Sequence, residues 1–218
     1  MKTQKRNEIK FILNNIPVET LVYFLKASNG LFFEEFPGRF INSIYFDNLN
    51  FDFYKKNIEG FSQRQKIRLR FYGKQNTNLI KNSVLEFKIK ENNLGYKIKK
   101  NFGKFELKDI FSGNFKDKIK KFTFHISDYL RPILINNYYR NYFVSRNQNI
   151  RFTIDQFIKY DYLNFNKINF NKIIYPKIIV EAKFDPRHKE EALNIINKMP
   201  LRAVKNSKYV IGINKFLR

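Results

Sequence analysis

The chain contains no cysteine, which excludes disulfides, thiolate nucleophiles and cysteine-based zinc sites. That suits a reducing compartment, and a cytoplasmic location is the expectation. It has 2 histidines, so no histidine cluster is available for catalysis. His125 and His188 read as surface or packing residues. No stretch reaches the roughly 18 apolar residues that a membrane span needs. The apolar run after the basic start breaks at Asn14-Asn15, too early for a signal peptide. A Gly-x-x-x-x-Gly-Lys loop is missing, so any phosphate must be held by side chains and not by a backbone cradle. No linker, low-complexity segment or change of composition interrupts residues 1–218, which predicts a single domain. Acidic residues are scarce: 19 Asp+Glu stand against 42 Lys+Arg, a formal net charge of +23. A folded protein that basic repels itself unless it meets a polyanion. Nucleic acid, acidic membrane and phosphate compounds are the candidates.

What is present is a core and a strand pattern. Hydrophobic content of 43% marks a folded protein, and aromatic content of 17%, as Phe and Tyr, favours strands. The most informative segment is Arg64-Gln65-Lys66-Ile67-Arg68-Leu69-Arg70-Phe71. Side chains alternate faces along a strand, so Arg64, Lys66, Arg68 and Arg70 share one face and Ile67, Leu69 and Phe71 the other. A solvated face mixes charge signs, whereas this one points at something anionic.

Further strands are predicted over 6–13, 40–46, 84–90, 96–100, 131–144, 150–158 and 177–184. Helices are predicted over 17–28, 49–57, 102–124 with a break near Gly113, and 186–198 ending before Pro200. Pro17 fits a first helical turn and Asn29-Gly30 a helix end. Residues 160–173 read as a hairpin or loop, and the tail 205–216 as a short strand or helix. Glu-x-Lys recurs in strand register at Glu8/Lys10, Glu86/Lys88 and Glu181/Lys183. Short, evenly spaced strands predict an α+β fold: an antiparallel closed β-barrel or strongly curved sheet with flanking α-helices.

If the charged faces line one barrel, its lumen holds Arg6, Lys10, Arg64, Lys66, Arg68, Arg70, Lys88, Lys97, Lys99, Arg140, Arg151 and Lys183. Buried like charges are costly without partners, so such a lumen is built to accept an anion. Phosphate chains match it, because Arg grips ionised oxygens in bidentate fashion. The alternative is a one-sided sheet whose polar face is merely solvated.

In order along the chain, Arg6-Asn7-Glu8-Ile9-Lys10, Ser43-Ile44-Tyr45-Phe46-Asp47, Arg64 to Gly73, Leu85-Glu86-Phe87-Lys88, Tyr138-Tyr139-Arg140, Arg151-Phe152-Thr153-Ile154-Asp155, Val180-Glu181-Ala182-Lys183 and Lys205-Asn206-Ser207-Lys208-Tyr209 resemble the VTC-type polyphosphate polymerase domain, a branch of the triphosphate tunnel metalloenzymes. The resemblance implies an antiparallel tunnel of about eight strands with helices outside. It also implies that Lys10, Arg68, Arg70, Lys88, Arg140 and Arg151 bind nucleotide or chain phosphates. Lys97 or Lys99 would supply a further phosphate-binding lysine, Glu181 the metal ligand for Mn2+ or Mg2+, and Lys205, Ser207 and Lys208 a phosphate-contacting cluster. Tunnel triphosphatases begin with Glu-x-Glu-x-Lys. Here Arg6 stands first, which favours the polymerase branch. The resemblance further suggests a stand-alone bacterial version that could work with a membrane-protein partner.

The implied partners are ATP and polyphosphate. Transfer between phosphates needs positioning, charge neutralisation and a divalent ion, and no strong base. Two other activities compete: a tunnel triphosphatase, with Glu8 or Glu86 as base, and a non-catalytic module binding polyphosphate or nucleic acid. Glu8 and Glu86 read more simply as orienters of lysines. Basic charge with interleaved aromatics is a nucleic-acid footprint, yet no RNP1 run, zinc-finger spacing or helix-turn-helix signature is present. Asp47 and Asp155 read as turn caps or arginine partners. Tyr138, Tyr139 and Phe46 read as wall or core.

Overall fold

The computed structural model describes residues 7–13, 16–73, 78–92, 94–123, 126, 129–164, 167–168 and 173–217. Arg6 and His125 lie outside the described residues. Among the described residues, twelve strands and five α-helices run in the order β1 (Asn7–Leu13), α1 (Val18–Ala27), β2 (Phe33–Asp47), α2 (Asp52–Ile58), β3 (Gln63–Tyr72), β4 (Leu79–Ile80), β5 (Ser83–Glu91), β6 (Leu94–Asn101), β7 (Phe105–Glu106), α3 (Gly113–Phe122), β8 (Arg131–Val144), β9 (Ile150–Asn164), β10 (Lys167–Ile168), β11 (Ile173–Tyr175), β12 (Ile178–Phe184), α4 (Lys189–Ile196) and α5 (Lys208–Phe216).

The main ladder runs β1-β12-β9-β8-β2-β3-β5-β6, with β10 and β11 added to β9, while β4 and β7 form a separate pair. Every register that bears on the site is antiparallel. The fold is thus a mostly antiparallel sheet with flanking helices. The closed barrel expected from the sequence is not made by strand pairing: among the described residues the ladder is open and ends at β1 and β6.

The chain forms two compact units, and β2, β8 and β9 give residues to both. In the first unit, Phe11 and Leu13 of β1, Val180, Ala182 and Phe184 of β12, and Phe152 and Ile154 of β9 form one apolar sheet face. Leu21 and Leu25 of α1 and Ala192, Ile195 and Ile196 of α4 cover it. In the second unit, Ile67, Leu69 and Phe71 of β3 pack with Leu85 and Phe87 of β5, Ile44 and Phe46 of β2, and Phe115 and Ile119 of α3. Strand alternation then sends the charged residues of the same strands to the opposite face of each sheet.

Three boundaries differ from the sequence reading. β2 starts at Phe33 and runs through Pro37-Gly38. A Cβ at Gly38 would lie 2.3 Å from Tyr139 Oη, so this glycine serves a close approach and not a turn. The stretch 102–124 is helical over Leu107–Phe111, a 3-10 turn, and over α3, with the expected break at Ser112, which accepts from Phe115 N at the N-cap of α3. Before it, β7 pairs Phe105 with Ile80 of β4, and both side chains enter the second unit's core. β9 continues to Asn164 because Tyr160 and Leu163 are buried, and β10 folds back on it. The tail is a helix, α5. Its Gly212 lets the helix lie on β8 and β9, since a Cβ there would meet Leu134 at 2.4 Å and Tyr160 at 2.7 Å. No helix among the described residues is long and apolar enough to cross a membrane.

Candidate phosphate-binding faces

The second unit carries the basic face. Register places Arg68 opposite Tyr45 on one side and Glu86 on the other, with Lys99 beyond Glu86. The neighbouring rows are Lys66, Lys88 and Lys97, then Arg64 and Lys90, then Ser43, Arg70 and Val84. Eight basic positions (Arg64, Lys66, Arg68, Arg70, Lys88, Lys90, Lys97 and Lys99) thus share one face with a single carboxylate from the paired strands, Glu86.

Glu86 is the hub. Its Oε2 accepts from Arg68 Nε at 2.7 Å and lies 3.7 Å from Arg70 Nε, and its Oε1 accepts from Lys97 Nζ. Burial pushes its pKa up, but Arg68, Arg70 and Lys97 outweigh burial and hold it down at about 2. Burial also lowers Lys97. Glu86 opposes that shift, Arg68 and Arg70 add to it, and the amine ends at about 8. Arg68 also donates to Tyr45 Oη at 3.4 Å. Lys66 Nζ donates to Ser207 Oγ at 3.0 Å, and Ser207 caps α5 by accepting from Val210 N. Lys208, the first residue of α5, is buried. Lys88 and Lys99 are exposed. Arg64 turns back onto the loop before β3, where its Nη1 donates to Phe61 O and Gly60 O.

The first unit carries a face of mixed sign. Glu181 is its centre: Oε2 lies 3.0 Å from Lys183 and 3.7 Å from Arg140 Nη2, and Oε1 lies 3.4 Å from Lys10. Lys10 also pairs with Glu8 at 3.1 Å and donates to Asn206 O. Burial lowers the Lys10 pKa, yet Glu181 and Glu8 carry it above its ordinary value. Arg140 Nε and Nη2 donate to the two oxygens of Asp155, the latter at 2.6 Å. Arg151 sits at the rim, half exposed and paired with Glu35 at 3.0 Å. Lys205 is exposed.

The residues chosen from the sequence therefore fall into two groups. Lys66, Arg68, Arg70, Lys88, Lys97 and Lys99 share the second unit's face, and Lys10, Arg140, Glu181 and Lys183 the first unit's. Arg64 shares the second unit's face by register but bonds to Gly60 O and Phe61 O. Arg151 lies opposite Lys183 on the first unit's face and pairs with Glu35. Ser207 and Lys208 begin α5, and Lys205 is exposed. Asp47 is a cap: it accepts from the backbone N–H of Asn48, Phe53 and Tyr54 and from the Tyr209 hydroxyl. Tyr45 stacks on Tyr209, with ring centroids 5.1 Å apart. Sequence reasoning gave no role to Ser43, Thr153 or Glu35. The hydroxyls of Ser43 and Thr153 are buried on the charged faces without a hydrogen-bond partner among the described residues. Their only sequence signal was strand alternation, since each sits two residues from a charged or aromatic member of its face.

Among the described residues, no group of three or more His, Cys, Asp or Glu side chains is arranged to hold a metal. A divalent cation takes about six oxygen ligands. Glu181 offers one carboxylate, with Lys10, Arg140 and Lys183 already around it. One carboxylate among three cations is not by itself a divalent-cation site.

A mostly antiparallel sheet with flanking helices, carrying one basic face and one face of mixed sign, is by class an α+β protein. The chain belongs to the VTC domain family, whose model matches residues 5–217. Its fold is shared with a proposed adenylate cyclase from Vibrio parahaemolyticus, at TM-score 0.55 and 13% identity over 96% of this chain and 99% of that one. A proposed adenylate cyclase from Bacillus halodurans is similar at TM-score 0.54 and 14% identity, over 99% and 98% of the two chains. No functionally curated protein matches the chain.

Proposed function

We propose that this chain is a metal-dependent polyphosphate polymerase. In this reading a terminal oxygen of a growing polyphosphate attacks the γ-phosphorus of ATP. The bond from that phosphorus to the β–γ bridging oxygen breaks, ADP leaves, and the chain is longer by one phosphate. The observation that carries the reading is the second unit's face, where eight basic positions meet one carboxylate. A run of ionised phosphates would neutralise that face along its length. Family membership supports the same substrate class.

The attacking oxygen is already ionised near neutral pH, so the chain's residues need only hold and neutralise. Arg68, Arg70, Lys66, Lys88, Lys97 and Lys99 would grip phosphate oxygens, with Ser207 and Lys208 at the start of α5 beside Lys66. Lys10, Arg140, Lys183 and, at the rim, Arg151 and Lys205 would do so in the first unit. Mn2+ or Mg2+ would enter with the nucleotide, with Glu181 as its protein ligand, and would neutralise charge on the transferring phosphoryl group. Closure of the ladder into a tunnel is part of this proposal and rests on the family resemblance.

The test is product analysis with ATP and Mn2+. Wild-type protein should yield ADP and long phosphate chains. Arg68→Ala and Glu181→Gln should each lower the rate by about 100-fold or more, the scale of one lost charge-stabilising group. ADP and inorganic phosphate as the only products would replace the polymerase with a triphosphatase.

Binding should also depend on Lys97. Affinity for inorganic tripolyphosphate should fall as pH rises through about 8, where this amine loses its proton. Lys97→Arg, which stays charged, should flatten that profile. Folding responds with the opposite sign: a depressed lysine pKa gives a contribution to stability that grows from about pH 8 to the ordinary value of 10.5. Calorimetric titrations across pH 7–9.5 measure the first effect and urea unfolding the second. A profile unchanged by Lys97→Arg would remove Lys97 from the binding set.

A further inference from the structure

Two buried polar groups on the second unit's basic face have no hydrogen-bond partner among the described residues: Ser43 Oγ on β2 and Arg70 Nε on β3. Ser43 is 0% exposed. The register sets Ser43 directly opposite Arg70, so their side chains share a face with β-carbons about 5 Å apart. The nearest carboxylate oxygen to Arg70 Nε is Glu86 Oε2 at 3.7 Å, beyond hydrogen-bond reach. The oxygens of Glu86 already accept from Arg68 and Lys97. Val84 and Asn101 complete the row, so no other charge in it competes for Arg70.

Buried donors without acceptors are uncommon and each one destabilises. Alanine at position 43 would fill the strand without that cost. A guanidinium Nε–H can only donate, and a serine hydroxyl can donate as well. Both groups therefore lack an acceptor. On a face with eight basic positions and one carboxylate, that acceptor is an oxyanion.

We infer that Ser43 and Arg70 form a subsite for one oxygen of a bound condensed phosphate, with Ser43 Oγ–H and Arg70 Nε–H both donating to it once the side chains that close these two atoms off from solvent move aside. The inference rests on the phosphate reading above and adds Ser43 to it as a binding residue. Arg68 and Lys97, already occupied by Glu86, must share their donors with the ligand. The Ser43–Arg70 pair gives up no protein hydrogen bond to bind. This row therefore contributes to affinity out of proportion to its charge.

The test is Ser43→Ala, measured two ways with inorganic tripolyphosphate as the probe. The dissociation constant from calorimetry at pH 7 should rise about tenfold, the scale of one hydrogen bond to a charged group. The melting temperature of the ligand-free variant should equal or exceed that of wild type, because a hydroxyl without a partner is removed. A ligand-free variant that melts lower overturns the inference, since the hydroxyl would then serve the fold. So does a dissociation constant equal to that of wild type. Wild-type protein that takes up no tripolyphosphate refutes the phosphate reading itself, whereas wild-type binding with an unaffected Ser43→Ala refutes only the subsite.

Discussion

Glutamine in place of Glu86 should lower the unfolding free energy at pH 7 by about 3–5 kcal/mol, the usual consequence of leaving buried charges uncompensated. The side chain of Glu86 is 4% exposed, and it is the carboxylate that Arg68, Arg70 and Lys97 share. Neutralising it leaves three cations facing one another. The pH dependence gives an independent check. The folded-state pKa of Glu86 is depressed from 4.5 to about 2, so its stabilisation is complete above about 4.5 and is lost as pH falls towards 2. The difference between wild type and Glu86→Gln in urea unfolding should therefore shrink over that window. Tripolyphosphate should raise the melting temperature of the variant more than that of wild type, because the added phosphates replace the missing counter-charge. Equal stability of the two proteins at pH 7 would mean that the three cations do not depend on Glu86.

The charged faces were legible in the sequence because alternation is a local property. Ile67, Leu69 and Phe71 entered the core, which forced Lys66, Arg68 and Arg70 to the other side of β3. The same reasoning found Glu181 with Lys183 and Glu86 with Lys88. Register between distant strands is not local. Nothing in the residue pattern said that Arg68 would lie opposite Glu86, or Ser43 opposite Arg70. Sequence reading therefore supplied the members of each face, Glu86 and Glu181 among them, but not their pairing across strands. Boundaries failed where one residue type has two uses. The strand expected over 40–46 runs back through Pro37-Gly38 to Phe33, and Tyr139 packs where a side chain at 38 would be. Phe105 reads as part of a helical stripe, yet its burial beside Ile80 is achieved by a strand pair.

The two faces also differ in a way that composition hides. A net charge of +23 suggests uniform positive potential. In the second unit that holds, with one carboxylate among the paired basic positions. In the first unit, Lys10, Lys183, Arg140 and Arg151 meet Glu8, Glu181, Asp155 and Glu35 in ion pairs. A nearly balanced face attracts a bare polyanion weakly, but it can fix side chains in place with little self-repulsion. The first unit's charges thus suit orientation, and the second unit's suit retention of a long anion.

That distinction sets the expected behaviour of the Arg140–Asp155 pair. Asp155→Asn should destabilise the protein by about 3 kcal/mol or more, because Asp155 is fully buried and accepts both guanidinium donors. Burial alone would lower the Arg140 pKa, but Asp155 more than offsets it and carries it well above the ordinary value. Glu181 Oε2 lies 3.7 Å from the same Nη2, so a guanidinium released from Asp155 would draw Glu181 towards itself. Loss of stability and loss of turnover would then arrive together in Asp155→Asn, and a second variant separates them. Arg140→Met/Asp155→Leu replaces the buried pair with apolar side chains of similar size, an exchange that leaves stability within about 1–2 kcal/mol in comparable cases. It should restore the urea midpoint and leave the protein inactive towards ATP, because the guanidinium beside Glu181 is gone. A double variant that regained both stability and turnover would assign the pair to folding alone.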